Sequence, residues 1–288
     1  MATKKPASSS KKATTKKSVA TKPKTSTKVT TVKAVEARSA VAPSARFSFT
    51  RSPILTAAIA EFIGTFLLAA AFVAGQGQPI SVLFALVGIV LIIGAISGAH
   101  VNPVVTVGAW ATKKITSARA VTYLVAQVLG AMLALVVLSA YVNAAPAVDE
   151  QAAMFGQSAA NLFTSTPLPE GKEVAVLFAE LLGATIFAFA YASVLREKRE
   201  RISAAFTIGL GMFIGLAIAG SAAIYVGGAA ILNPAVAITA QAFNDANLWA
   251  YAVYGLVPLV GGVLGFLLNG LLRTNEDVTP LEHSATRL

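Results

Sequence analysis

The stretch Ser97-Gly98-Ala99-His100-Val101-Asn102-Pro103-Val104-Val105-Thr106 decides the fold, because its Asn-Pro core returns as Asn233-Pro234-Ala235-Val236. Proline is tolerated at the first helical position, where its missing N–H would be unpaired anyway. Asparagine before it is a favoured N-cap, its side-chain oxygen accepting from first-turn N–H groups. The cap leaves the Asn NH₂ as a donor directed away from the helix. The apolar stretches that follow, Asn102–Trp110 and Asn233–Phe243, rise about 1.5 Å per residue and cannot cross a hydrocarbon core about 30 Å thick. Each therefore reads as a half-helix. A single Asn-Pro is an ordinary loop turn, so the weight falls on whether the two copies sit in a repeat.

They do. Ala60-Glu61-Phe62-Ile63-Gly64-Thr65-Phe66 recurs as Ala179-Glu180-Leu181-Leu182-Gly183-Ala184-Thr185. Long uncharged runs cover Ile54–Gly75, Pro79–Gly98, Ala120–Tyr141, Val174–Leu195, Ile202–Tyr225 and Leu248–Leu272, with only Glu61 and Glu180 as charged interruptions. Each matches the roughly 17–25 residues of a transmembrane helix. Each half reads as a span with Glu, a second span, an Asn-Pro half-helix and a third span. Three spans per half is odd, so the second copy is inverted in the membrane, and such repeats place a pathway lined by broken helices at their interface. Two half-helices entering from opposite faces would bring two Asn donors and two positive dipole ends to a narrow lumen. A solute oxygen can accept there, and a cation is repelled.

Composition excludes the soluble classes. Of 288 residues, 56% are hydrophobic and 12% charged, about half the charged share of soluble domains. There is no cysteine and there are two histidines, His100 and His283, which removes disulfides and thiolate chemistry and leaves little for a metal site or a catalytic triad. No enzyme activity, metal or cofactor is expected. Residues 1–53 hold 13 of the 23 Lys+Arg and one of the 13 Asp+Glu, in a Lys/Ala/Thr/Ser-rich tail that reads as disordered. Such a tail is attracted to anionic lipid heads. Nucleic acid is the lesser reading, because nothing aromatic is interleaved with the lysines.

The expected organisation is a tail over 1–53, a channel-like domain over 54–272 with repeats of about 54–142 and 173–272, and a C-terminal tail over 273–288. The basic residues cluster in the tail, in Lys113, Lys114 and Arg119, and in the turn from Arg196 to Arg201, whereas the loops 76–78, 142–173 and 244–247 are acidic on balance. Both termini are then cytoplasmic and the chain is a multi-pass protein of the plasma membrane. Glu61 and Glu180 need partners at membrane depth. Accepting hydrogen bonds from the backbone that leads into each half-helix is favoured over a proton relay, since no buried Lys or Arg accompanies them. His100 reads as a loop hydrogen-bonder. The competing function is a proton-coupled secondary transporter using Glu61 and Glu180, and the lack of another titratable group at that depth weighs against it.

With these motifs in place, residues 54–272 resemble the aquaporin, or major intrinsic protein, family. The resemblance rests on Ala60–Phe66, on Ser97–Thr106 and on Asn233-Pro234-Ala235. It implies an all-α membrane fold of six helices plus two re-entrant half-helices, a pore in each protomer of a homotetramer, and passive passage of water or small uncharged solutes such as polyols, ammonia or dissolved gases. Its pore donors would be Asn102 and Asn233, within Asn102-Pro103-Val104 and Asn233-Pro234-Ala235.

Three departures stand out against the family pattern. Val104 replaces the usual Ala, adding two methyls expected near the lumen. Val236 replaces the usual pore Arg. The segment before Asn233 is longer by about five residues when Ile208-Gly209-Leu210 is matched. Carried over residue by residue, the constriction would be Val82, Leu216, Ala230 and Val236, apolar and without fixed charge. Such a constriction lowers the penalty for carbon-bearing solutes, and a narrow one can dewet.

Overall fold

In the computed structural model, residues 53–149, 151, 154–156, 158–197, 200–244 and 247–272 are described. The expected basic tail, apart from Pro53, and the expected C-terminal tail lie outside the described residues. The helices are α1 (Pro53–Ala74), α2 (Pro79–Ser97), α3 (Pro103–Ala111), α4 (Ser117–Asn143), α5 (Glu173–Glu197), α6 (Arg201–Ile224), α7 (Pro234–Thr239) and α8 (Leu248–Leu271). Among the described residues there is no strand. Six helices are long and apolar enough to cross a membrane, with mean hydropathies from 1.9 to 2.8. The fold is all-α, and α3 and α7 are too short to span.

Helix pairing follows the sequence repeat. In the first half α1 packs on α2 and α4, and in the second half α5 packs on α6 and α8. The halves then exchange their short helices: α3 lies against α8, and α7 lies against α4. Close approach is built from glycine at matching places. A Cβ on Gly130 of α4 would collide with the carbonyl of Phe62, and a Cβ on Gly261 of α8 would sit 2.8 Å from that of Leu181. Both glycines let a helix backbone reach the neighbour that carries the buried Glu.

One element differs from its expected length, and another departs from a uniform α-helix. The helix after Asn233 stops at Thr239, with turns through Asn244, so the second half-helix is only 6 residues long. Helix α8 is not uniform, because Tyr251–Leu256 is a π-helical segment whose following Val257 N–H reaches back to the Ala252 carbonyl. The cause is Pro258. Its nitrogen cannot donate, and its ring crowds the carbonyl four residues earlier, so the helix widens by a residue.

Candidate functional site

Asn102 caps α3, its Oδ1 accepting from the Val104 N–H at 2.9 Å. Asn233 caps α7 in the same way, accepting from Ala235 at 3.0 Å and Val236 at 3.3 Å. Their amide nitrogens do not both point freely away. Asn102 Nδ2 donates to the Leu232 carbonyl at 2.9 Å, and Asn233 Nδ2 donates to the Val101 carbonyl at 3.1 Å. Each NH₂ has two hydrogens, so one N–H per Asn is spent on joining the two halves and one stays outside these bonds.

The residues that receive these bonds are themselves unusual. Val101 has φ 42° and Leu232 has φ 56°, a left-handed conformation costing side-chain-bearing residues roughly 1–2 kcal/mol. The strain is held from both sides. Glu61 Oε2 accepts from Val101 N–H at 2.7 Å, and Glu180 accepts from Leu232 N–H at 3.1 Å. Glu61 Oε1 also accepts from His100 N–H at 2.9 Å, and Glu180 Oε1 from Ile231 N–H at 2.6 Å. Each strained residue thus has its N–H bound by the Glu of its own half and its carbonyl bound by the Asn of the other.

The halves differ in polarity around this frame. Gln127 Nε2 donates to Glu61 Oε2 at 2.8 Å and to Thr106 Oγ1 at 2.9 Å, and His100 Nδ1 lies 3.1 Å from Thr106 Oγ1. Counting from Asn233 as these residues count from Asn102, the second half has Ile231, Ala237 and Pro258 instead of His100, Thr106 and Gln127. Glu180 relies on backbone donors alone among the bonds described. Sequence reading missed Gln127 and Thr106, and also a tyrosine pair. Tyr123 donates to the Ser97 carbonyl at 2.7 Å and Tyr254 to the Ala229 carbonyl at 3.2 Å. Both stand 21 residues after their Asn, a recurrence that could have revealed them.

Cavities open on either side of the joined loops. One, of about 530 Å³, lies where α1 ends and is lined by Gln76, Gln78, Phe163, Ser165, Leu216 and Ala230 among others. The loop between α4 and α5 reaches into it, with Phe163 edge-on to Phe72 and Ser165 N–H bound to the Ala240 carbonyl at 2.8 Å. The other, of about 540 Å³, lies where α2 ends and includes Gly98, His100, Lys114, Arg119 and Tyr191. His100 sits edge-on between Tyr123 and Tyr191.

Of the four residues expected at a constriction, Leu216 and Ala230 line the first cavity. Val82 and Val236 are buried at 2% and 1% exposure and are not among its lining residues. The extra bulk of Val104 is accommodated by packing. Its side chain is fully buried, and a Cβ built on Gly262 of α8 would lie 3.0 Å from Val104 Cγ1. One of the methyls expected near the lumen therefore faces a helix that has glycine to receive it.

A frame of six spanning helices and two capped half-helices, inverted and joined at their tips, defines a class of membrane channel. The family described as Major intrinsic protein matches residues 48–269, and the chain belongs to that family, the aquaporins and glycerol facilitators. It is 31% identical over 255 residues to a probable aquaporin TIP-type from Medicago truncatula, covering 79% of this chain and 90% of that protein. It is 30% identical to glycerol uptake facilitator protein-like 6 from Lactiplantibacillus plantarum, covering 72% and 93%, and 28% identical to aquaporin AqpM from Methanothermobacter marburgensis, covering 64% and 71%. Among solved structures it is similar in fold to the aquaglyceroporin from Plasmodium falciparum, with a TM-score of 0.54, 20% identity and coverage of 75% and 93%. The chain is an integral, multi-pass membrane channel for water and small solutes, in a family of channels rather than enzymes.

Proposed function

We propose that each protomer of a homotetramer carries its own pore, running between the two cavities past Asn102 and Asn233, in the plasma membrane with both termini cytoplasmic. The free N–H of each Asn donates to a passing oxygen while the α3 and α7 N-termini hold a positive potential against cations. Glu61 and Glu180 act as supports that hold the loop backbones, and His100 steadies the first loop through Thr106. Val82, Leu216, Ala230 and Val236 form an apolar constriction without the family's Arg, so solutes are sorted mainly by size rather than by hydrogen bonding. Water and small uncharged solutes pass, including polyols of glycerol size and ammonia. The basic tail associates with anionic lipid heads.

One observation carries this reading: each half's Asn donates to the strained loop of the other half, at 2.9 and 3.1 Å. Such a joint brings both half-helix tips to one place. The test is flux of water, glycerol and ammonia into proteoliposomes, with glycerol, which does not titrate, followed also under a pH gradient. The proposal expects rates above those of protein-free vesicles and no accumulation against a gradient. Uphill accumulation driven by pH would support the proton-coupled transporter instead.

A further inference from the structure

We propose that the mouth on the α2-end side binds an anionic phospholipid, with an acyl chain along α8 and the phosphate held by Lys114 and Arg119. Two cavities meet at Lys114. The mouth cavity described above contains Lys114 and Arg119, and a second cavity of about 600 Å³ runs beside the last turns of α8, lined by Leu264, Leu267, Leu268, Leu271 and again Lys114. Leu267 is 53% and Leu271 77% exposed, so this wall is left uncovered where the last spanning helix ends. An acyl chain fits there, and its headgroup then falls at the level of the basic pair.

The Lys114 backbone is held by a turn, and the Arg119 guanidinium lies near an aromatic ring. Lys114 follows a fixed turn, its N–H bound to the Ala109 carbonyl at 2.8 Å after Lys113 at φ 59°. Arg119 is half-buried, its guanidinium 6.0 Å from the centre of the Tyr123 ring. It also lies in the first turn of α4, whose N-terminal dipole favours an anion. Among the described residues, no carboxylate lines either cavity. The fold itself does not require the pair, since counting from Asn233 the second repeat has Asp245 and Ala250 where the first has Lys114 and Arg119. Charge complementarity and an apolar groove on one wall together specify an anionic lipid.

Trp110 and Trp249 are the two tryptophans of the chain, so Trp249→Phe makes Trp110, on α3 beside the site, the only reporter. The full chain carrying that change is placed in phosphatidylcholine vesicles containing a small equal fraction of either brominated phosphatidylglycerol or brominated phosphatidylcholine. The brominated anionic lipid should quench Trp110 by about twofold more than the brominated zwitterionic one. Lys114→Gln with Arg119→Gln should remove the excess, and Lys113→Gln, next door but lining neither cavity, should keep it. Leu267→Gln with Leu271→Gln reads the chain side of the site independently and should also reduce the excess. Equal quenching by both lipids, or an excess that survives these paired changes, overturns the proposal. The readout is binding, so the result stands apart from which solute the pore carries.

Discussion

Asn102 and Leu232 belong to opposite repeats, 130 positions apart, yet the Asn102 amide donates to the Leu232 carbonyl at 2.9 Å. The Leu232 N–H is held at the same time by Glu180. A strained backbone residue is thereby clamped between a carboxylate of one half and an amide of the other, and Val101 is clamped in mirror fashion by Glu61 and Asn233.

The two carboxylates should respond differently to loss of charge. Glu180→Gln presents an amide N–H to the Ile231 or Leu232 N–H with no side chain to receive it, at a cost of about 1–3 kcal/mol for an unsatisfied buried donor. Glu61→Gln has a partial relief route, because Gln127 Oε1 has no partner among the described residues and, after its amide flips, can accept from the new one, leaving only the Val101 N–H without its acceptor. Thermal unfolding in detergent should therefore show a larger loss for Glu180→Gln than for Glu61→Gln. The reverse order would mean that the Gln127 amide does not adapt.

Gly262 should tolerate no side chain. A Cβ there would collide with the Val104 carbonyl as well as approach Cγ1, and overpacking of this kind costs about 1–3 kcal/mol. Gly262→Ala should lower the unfolding temperature, and adding Val104→Ala should not restore it, because the backbone contact persists. Full rescue by the double change would place the clash on the side chain alone.

Much of this architecture was legible because its chemistry is local. Asn before Pro specifies a helix start whatever surrounds it, and Glu61 and Glu180 announced themselves as charges in apolar runs. The cross-half bonds were not legible. Nothing near Asn102 in the chain names the Leu232 carbonyl as its partner, and Gln127 and Tyr123 join the site only after α4 packs on α1. The end of α7 at Thr239 was hidden by the apolar residues that continue through Phe243, and the π-helical segment by Pro258, which reads in sequence as a simple interruption. The lining by Phe163 and Ser165 came from a loop with no periodicity to read.

Val236→Arg should introduce a donor and a positive charge in the first turn of α7. Passage of glycerol should fall more than that of water, which the glycerol-to-water permeability ratio in matched liposomes measures at equal insertion. A ratio that holds or rises would mean that position 236 does not face the pathway.

Removing residues 2–45 should leave water permeability per inserted protein intact, because every residue assigned to the proposed pathway lies after position 75. Stopped-flow shrinkage of vesicles with equal protein content is the check. Lost flux from a folded, inserted truncation would give the tail a part in conduction.

The most direct measurement is cation leak through Asn102→Asp and Asn233→Asp in proteoliposomes, alongside water flux. A carboxylate at either tip offsets the half-helix dipole and replaces the amide donor. Sodium leak in the inserted variants, absent from the unmodified channel, is the predicted result. Unchanged water flux with no sodium leak in either variant would contradict the account, because the half-helix tips would then lie outside the pathway.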